Sequence, residues 1–173
     1  MTSSTGVYNK LTHYRGGQIL QTVTAVMHDP HTQSVGAGSL WDLTHFPISI
    51  ALSKASNLVL VTGFVSIGGQ LSTHVAIRRA GNNVTSARAS DTGSRVAAHS
   101  GAGGGGNDSH ACCSCPIHFV DKPNSTAMLR YYLQFSHTSG STQTIYINRS
   151  SNDGNAYDRG RYVSVLTAQE IQT

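Results

Sequence analysis

The chain has 173 residues and a mass of 18.3 kDa, which suits a single domain with a substantial core. Only 12% of the residues are charged, glycine occurs 18 times and glutamate once, at Glu170, so the composition excludes a helical bundle. The mean hydropathy is −0.19, and no apolar run approaches the roughly 20 residues of a membrane helix, so we expect no contact with a membrane.

The formal net charge is +4 and the sequence pI is about 9.2, but the basic residues are spread along the chain. Arg78 and Arg79 are the only adjacent pair, whereas nucleic-acid binders usually concentrate their basic residues on one stripe or arm. We therefore expect no direct nucleic-acid binding and a mild preference for an acidic partner. Residues 1–6 lack the basic and apolar start of a secretion signal, so we expect folding in the cytoplasm where the chain is made.

Apolar and polar residues alternate with a period of two along the chain, which predicts half-buried strands. The first predicted strand covers 18–28 and ends at Asp29-Pro30, because proline cannot donate to a ladder; a polar loop over 31–39 follows. The segment 58–67 is apolar on both faces, which predicts a central strand. The other predicted strands cover 47–52, 70–79, 84–89, 95–99, 110–120, 128–137, 143–148 and 162–171.

This pattern of short strands and frequent turns predicts an all-β, antiparallel β-sandwich. Gly81-Asn82-Asn83 is a hairpin signal between two of the strands. The glycine-rich run at 101–106 reads as a surface loop, because strands of the same style resume after it. We therefore expect one domain over 17–173, preceded by an N-terminal arm over 1–16.

One short segment matches a catalytic motif. Asp91-Thr92-Gly93-Ser94 has the sequence of the aspartic-protease tetrapeptide, but that chemistry needs two such aspartates, so a chain with one copy would have to dimerise. A tight turn is the alternative reading, since Asp and Gly favour turns. The chain also lacks a G-x-S-x-G nucleophile motif, and its glycine run lacks the Gly-Lys-Ser/Thr of a phosphate loop. We expect no enzymatic activity and no cofactor.

The three cysteines cluster at Cys112, Cys113 and Cys115, an odd number that makes a poor disulfide framework. Read as a strand, this segment places Cys113 and Cys115 in an apolar row that suits a sandwich interior. We therefore predict no metal site within one chain. The alternative is an ion on the axis of a symmetric oligomer, for which the candidate ligands are His110, Cys112 and His118.

Four segments of the C-terminal third carry a more specific signal, at 119–126, 129–134, 144–150 and 161–171. They contain Asp121-Lys-Pro123, Tyr146-Ile-Asn148-Arg149-Ser150 and Ser164-Val-Leu-Thr167-Ala-Gln-Glu170-Ile171. In this order they resemble a family of small structural proteins of tailed bacteriophages, especially cyanophages and other aquatic phages. The resemblance is close over 119–171 and extends to the earlier strands only in style.

The resemblance implies a jelly-roll sandwich akin to tumour-necrosis-factor-like modules, assembled as a homotrimer in the virion. Such proteins serve as capsid decoration (cement) trimers, head fibres or fibre-tip knobs, and have no catalytic residues. Arg149 and Glu170, which lie within matching motifs, are candidates for an ion pair with each other or for subunit or capsid contacts; the alternative is that they cap sheet edges.

The length of the chain before the first strand favours one of these roles. About 17 residues are too few for a fibre shaft, but they could lie across a capsid surface. We therefore expect a trimeric cement protein on the capsid exterior, bound to the major capsid protein, that clips neighbouring capsomers together. The alternatives are a receptor-binding knob of a head or tail fibre and a small-ligand module. The contact candidates in the arm are Val7, Tyr8, Leu11 and Tyr14.

Overall fold

The computed structural model of the chain describes residues 17–69, 72–90, 93–102 and 110–173. These residues form twelve strands and one short 3-10 turn, Thr85–Ala87. The strands are β1 (Ile19–Met27), β2 (His31–Val35), β3 (Trp41–Asp42), β4 (Ile48–Ile50), β5 (Leu58–Gly68), β6 (Thr73–Arg79), β7 (Asn82–Asn83), β8 (Ser100–Ala102), β9 (Cys112–Asp121), β10 (Leu129–His137), β11 (Gln143–Ile147) and β12 (Ser164–Ile171).

The strands form two antiparallel sheets, each of six strands. In sheet A the order is β1-β12-β5-β9, and the β2–β11 pair joins at one end of β5. In sheet B, β3 and β4 pair with one edge of β10, and β6 pairs with the other edge before β7 and β8. The first and last strands are neighbours in one sheet while intervening strands cross to the other, which is the connectivity of a jelly roll. The predicted all-β sandwich is confirmed.

The predicted central strand is also confirmed. Strand β5 pairs with β12 from Leu58 to Phe64 on one edge and with β9 from Val59 to Gly68 on the other. Its inward residues Val59, Val61 and Val65 are at most 1% exposed. Pairing on both edges makes β5 a central strand of sheet A, and its outward residues Leu60 and Phe64 are partly exposed.

The core lies between the two sheets and follows the alternation seen in the sequence. In β6, Val75 and Ile77 are buried, whereas His74 and Ala76, which alternate with them, are partly exposed. In β9 the predicted inward residues Cys115, Ile117 and Phe119 are buried and Cys113 is half-buried. Among the described residues β9 pairs only with β5, so a proline without an N–H donor is tolerated at position 116. The largest core side chains with almost no exposure are Tyr131, Phe135, Leu43, Ile48, Ile50, Ile117, Leu133, Ile147 and Leu166.

Three local predictions are wrong. The predicted loop over 31–39 contains β2, because β11 pairs with all five of its residues. The predicted strand over 84–89 contains the 3-10 turn instead, in which Val84 and Ala87, three residues apart, both reach the core. The predicted strand over 95–99 is irregular, and the pairing with β6 starts only at Ser100.

Two predicted segments cannot be placed. The N-terminal arm over 1–16 and residues 103–109 of the glycine-rich loop lie outside the described residues. Within the described ranges, no helix has the length and apolar character needed to cross a membrane.

The β5–β12 pairing leaves no room for a side chain at Gly63. Its φ is +145°, a conformation that favours glycine, and a Cβ there would overlap the carbonyl oxygen of Val165. We expect Gly63→Ala to lower the free energy of unfolding by about 2 kcal/mol, because the backbone of β12 must shift. Urea unfolding measures this. The control is Gly140→Ala, where a Cβ meets nothing within 4 Å, and an equal loss in both variants would contradict the prediction.

Candidate functional site

The three candidate metal ligands on or near β9 lie in different surroundings. His118 is exposed, and its backbone N–H donates to His99 Nε2 at 3.3 Å. His110 Nε2 lies 3.8 Å from the carboxylate of Asp158. Burial, together with the neighbouring Cys113, raises the pKa of Cys112 to about 11, so its thiol is protonated at neutral pH.

Among the described residues, no group of three or more His, Cys, Asp or Glu side chains could hold a metal ion. An ion on the axis of an oligomer stays a prediction, since the structure contains one chain. Asp91 and Thr92 of the protease-like tetrapeptide lie outside the described residues, as do the arm residues Val7, Tyr8, Leu11 and Tyr14.

Glu170 is a buried carboxylate that accepts four hydrogen bonds. It lies on β12, is 1% exposed and faces the interior near the β4–β5 loop. Its Oε1 accepts hydrogen bonds from the backbone N–H of Ser53 at 2.7 Å, the Ser53 hydroxyl at 2.7 Å and Asn57 Nδ2 at 2.6 Å. Its Oε2 accepts from Gln21 Nε2 at 2.6 Å. Donors from β1 and the β4–β5 loop thus converge on one carboxylate of β12.

These donors decide the charge of Glu170. Burial alone would raise its pKa, but hydrogen bonds from Asn57, Gln21 and Ser53 outweigh burial and lower the pKa from 4.5 to about 2. The carboxylate is therefore ionised at neutral pH without a cation partner among the described residues. Sequence analysis found Glu170 through the motif but missed its three partners, because nothing in the sequence brings residues 21, 53 and 57 to one point.

Arg149, the other candidate from the motif, holds the loop that follows β11. Its guanidinium pairs with Asp153 at 3.1 Å and donates to the carbonyl oxygens of Ser150 and Ser151. It also lies 5.3 Å from the ring centre of Tyr146. Arg149 thus fixes its own loop and does not pair with Glu170; a contact of either residue with another chain stays a prediction.

Asn148, next to Arg149 in the chain, is buried and links strands through the hydrogen bonds of its side chain. Its φ is +60°, and its Nδ2 donates to the carbonyl oxygen of Met27 at 2.7 Å. Its Oδ1 accepts from the Ser164 hydroxyl at 2.6 Å, and Ser164 Oγ in turn accepts from the backbone N–H of Ser66 at 3.0 Å. Side-chain hydrogen bonds of Asn148 and Ser164 therefore join the end of β1 and the start of β12 to β5.

A second buried carboxylate ties sheet A to sheet B. Asp121, at the end of β9, forms an ion pair with Arg79 of β6 and accepts a hydrogen bond from the Tyr131 hydroxyl of β10 at 2.7 Å. Burial, and then the nearby Asp121 carboxylate, raise the pKa of Tyr131, so its hydroxyl stays protonated and donates. The contact crosses from one sheet to the other.

The outer surfaces of the two sheets differ in charge. The outer face of sheet B carries Arg78, Arg130 and one carboxylate, Asp42, which accepts a hydrogen bond from Gln134 Nε2 at 2.7 Å. A pocket of about 190 Å³ on this face is lined partly by Arg88 and Arg95. The outer face of sheet A is defined here by positions 22, 24 and 26 of β1, 165, 167 and 169 of β12, 60, 62 and 64 of β5, and 116, 118 and 120 of β9. It contains no Asp, Glu, Lys or Arg.

Comparison with known proteins gives a fold likeness only. No protein-family model matches the chain, and no curated protein matches it. The chain is similar to a point mutant of the VP2 protein of infectious bursal disease virus in derived T=1 particles, with a TM-score of 0.44 and 15% identity over 87% of this chain and 37% of that one. It is also similar to a VP2 subviral particle of the same virus, with a TM-score of 0.42 and 14% identity over 91% and 40%.

The chain thus spans about two fifths of the length of these structures, at 37% and 40%. Sequence identities of 15% and 14% and TM-scores of 0.44 and 0.42 do not assign a function to the chain.

The Glu170 network predicts a specific loss of stability. In Glu170→Gln an amide nitrogen replaces one carboxylate oxygen and cannot accept the bonds now made, so we expect the free energy of unfolding at pH 7 to fall by about 2 kcal/mol. The folded pKa lies below the ordinary value, so this stabilisation is complete above about pH 5 and is lost as the pH falls toward 2.

Urea unfolding at several pH values measures both effects, and the wild type and Glu170→Gln should converge in acid. Asp29→Asn, which removes an exposed carboxylate, is the control and should leave the pH dependence unchanged. A constant difference between wild type and Glu170→Gln from pH 7 to 2 would show that the charge contributes nothing.

The Asp121 contact predicts unequal effects of two similar substitutions. Tyr131→Phe removes a donor to a buried carboxylate and should cost about 1.5 kcal/mol, whereas Tyr132→Phe removes only a 3.4 Å contact with Asp42 and should cost less than about 0.5 kcal/mol. Asp121→Ala leaves Arg79 without this partner and should cost about 3 kcal/mol. Thermal and urea unfolding check this order, and equal losses for the two tyrosines would refute it.

Proposed function

We propose that the chain is a structural protein of a bacteriophage virion. It assembles as a homotrimer, binds the major capsid protein on the outside of the head and stabilises contacts between capsomers. The supporting observation is where the segments that resemble phage structural proteins fall in the fold. They supply all or most of β10, β11 and β12 and the end of β9, so they contribute to both sheets.

Within those segments the polar residues serve the framework. Glu170, Asn148 and Ser164 are buried and join strands, and Asp121 links the two sheets. This use of the motif residues supports a framework shared with the phage structural proteins that the segments resemble. A structural protein of this kind acts through its surface and through the number of its copies. Many copies of a modest interface can stabilise a capsid strongly.

The charge of the chain fits a position on an acidic outer surface. The net charge is +4, and the arginines on sheet B give that side positive charge. Binding at this side would weaken as salt rises, because exposed charges are screened. Partner recognition is then electrostatic on one side of the sandwich, while the other sheet surface remains uncharged.

Capsid stability tests this function. Empty heads that lack the chain are heated with and without saturating purified chain, and the rupture temperature is read by light scattering. We expect a higher rupture temperature with the chain, because a ligand that binds only the intact shell stabilises it by about 2.7 kcal/mol per site at 100 times its Kd. An unrelated protein of matched net charge is the control.

Equal rupture temperatures with and without the chain would reject the cement role. Electron microscopy of mature particles distinguishes the cement role from the alternative. Density for the chain at a fibre tip or tail would indicate a receptor-binding knob. Density over the capsid surface supports the proposal.

A further inference from the structure

Two histidine rings from opposite sheets are in contact. His31 begins β2 of sheet A, and His45 lies in the loop between β3 and β4 of sheet B. Their ring centres are 4.2 Å apart, and the ring planes are tilted by 49°. His31 is partly exposed and His45 is exposed. The contact therefore joins two groups that both become charged in mild acid.

His31 also belongs to an aromatic stack that reaches the core. Its ring stacks on Trp41 of β3, with ring centres 5.4 Å apart and planes 14° from parallel. Trp41 stacks in turn on Phe135 of β10, which is fully buried. The backbone beside His45 is anchored as well, because its neighbour Phe46 is buried. The stack thus holds the His31 ring in place, whereas the exposed His45 ring can turn into solvent by rotating its own side chain.

Both rings line a cavity of about 320 Å³. The charged or titratable groups that line it with them are His28 and Asp29, in the turn between β1 and β2. The buried side chains of Met27 and Phe46 line it too. Among the described residues, neither imidazole of the pair forms an ion pair with Asp29 or another carboxylate.

The other charged groups around β2 and the β3–β4 loop have partners elsewhere. The carboxylate of Asp42 accepts a hydrogen bond on the outer face of sheet B, and Arg130 donates to the carbonyl oxygen of Thr44 at 2.5 Å. His137 Nε2 lies 2.8 Å from the carbonyl oxygen of Val35, at the other end of β2. Strand β11, which pairs with β2, carries no acidic or basic side chain. Protonation of both rings thus meets no fixed counter-ion in the described part of the chain.

The folded chain favours the neutral form of His31. Burial, and then the neighbouring His45, lower the pKa of His31 from its ordinary value of 6.5. The stabilisation that the contact gives is therefore complete above about pH 7 and is lost as the pH falls through 6.5 toward the folded pKa. Two imidazolium rings at this separation repel each other.

We propose that the contact between His31 and His45 is an acid-sensitive switch between the two sheets. When both rings are neutral they pack together. When both are protonated, His31 stays on Trp41, His45 turns into solvent, and the cavity that both rings line widens. Attraction between a cation and the face of an indole ring helps to hold protonated His31. The switch goes beyond the proposed virion role and does not depend on it.

The single tryptophan of the chain, Trp41, makes the switch measurable. Its fluorescence falls when the stacked His31 ring is protonated, because an imidazolium accepts an electron from the excited indole and a neutral imidazole does not. The full chain is titrated from about pH 8 to about pH 5, the range in which histidine changes charge. Circular dichroism confirms at each pH that the chain is folded. Glu170, with a pKa of about 2, stays ionised throughout.

We expect the wild-type transition to have its midpoint below pH 6.5. His45→Gln should raise the midpoint by at least about 0.3 pH units, because the neighbouring cation is gone, and His31→Gln should abolish the transition. His118→Gln is the matched control, since it removes an exposed histidine from β9 and should leave the midpoint unchanged. A midpoint in His45→Gln equal to that of the wild type would overturn the coupling between the two rings.

Proton NMR of the wild type tests the opening itself. Cross-relaxation between the ring protons of His31 and His45 should be present when both rings are neutral and lost when their chemical shifts show both protonated, while that between His31 and Trp41 persists. A His31–His45 contact that survives with both rings protonated would overturn the switch, and so would a His31 ring that stays neutral until the chain unfolds in acid. Neither result bears on the capsid role, which the rupture temperature tests separately.

Discussion

Strand β5 is the element on which the rest of the structure depends. Its backbone is paired along both edges, with β12 and β11 on one side and β9 on the other. The paired residues lie about 45 to 115 positions apart in sequence, from Gly68–Cys112 to Leu58–Ile171, so the strand can form its ladders only when most of the chain is in place. Gly63 and Gly68 let the neighbouring backbone approach where a side chain would overlap Val165 or Arg149.

Around this strand, buried polar side chains fix the relative positions of elements that hydrophobic contact alone would leave less defined. Glu170 joins β12 to β1 and to the β4–β5 loop, and Asp121 joins the sheets. Each carboxylate is matched by donors, which offsets the cost of burying it. With so few charged residues in the chain, placing two carboxylates inside leaves broad parts of the surface uncharged.

The sequence predicted the fold where alternation is long and unbroken, as in β1 and β6. It failed where a short segment takes its conformation from a distant partner. His31–Val35 is polar and looked like a loop, yet β11 supplies its ladder. The 84–89 segment has strand-like composition, but Val84 and Ala87 reach the core through a turn. Burial of both side chains favours the 3-10 turn there and outweighs the strand preference of the local sequence.

The hydrogen bonds of the buried polar side chains were also beyond prediction from the sequence. The closing motif drew attention to Glu170, but Gln21, Ser53 and Asn57 lie in three separate segments, so only the folded chain identifies them as partners. The register was likewise needed to show that outward positions of β1, β12, β5 and β9 form one continuous face without Asp, Glu, Lys or Arg.

These features together describe a sandwich with a buried apolar core, arginines on the outer side of sheet B and a face of sheet A without Asp, Glu, Lys or Arg. A cryo-electron microscopy map of mature particles gives the most direct test of the proposed place of this sandwich in a virion. The account predicts density for trimers of the chain over the outer surface of the capsid; a map of the particles without such density would contradict it.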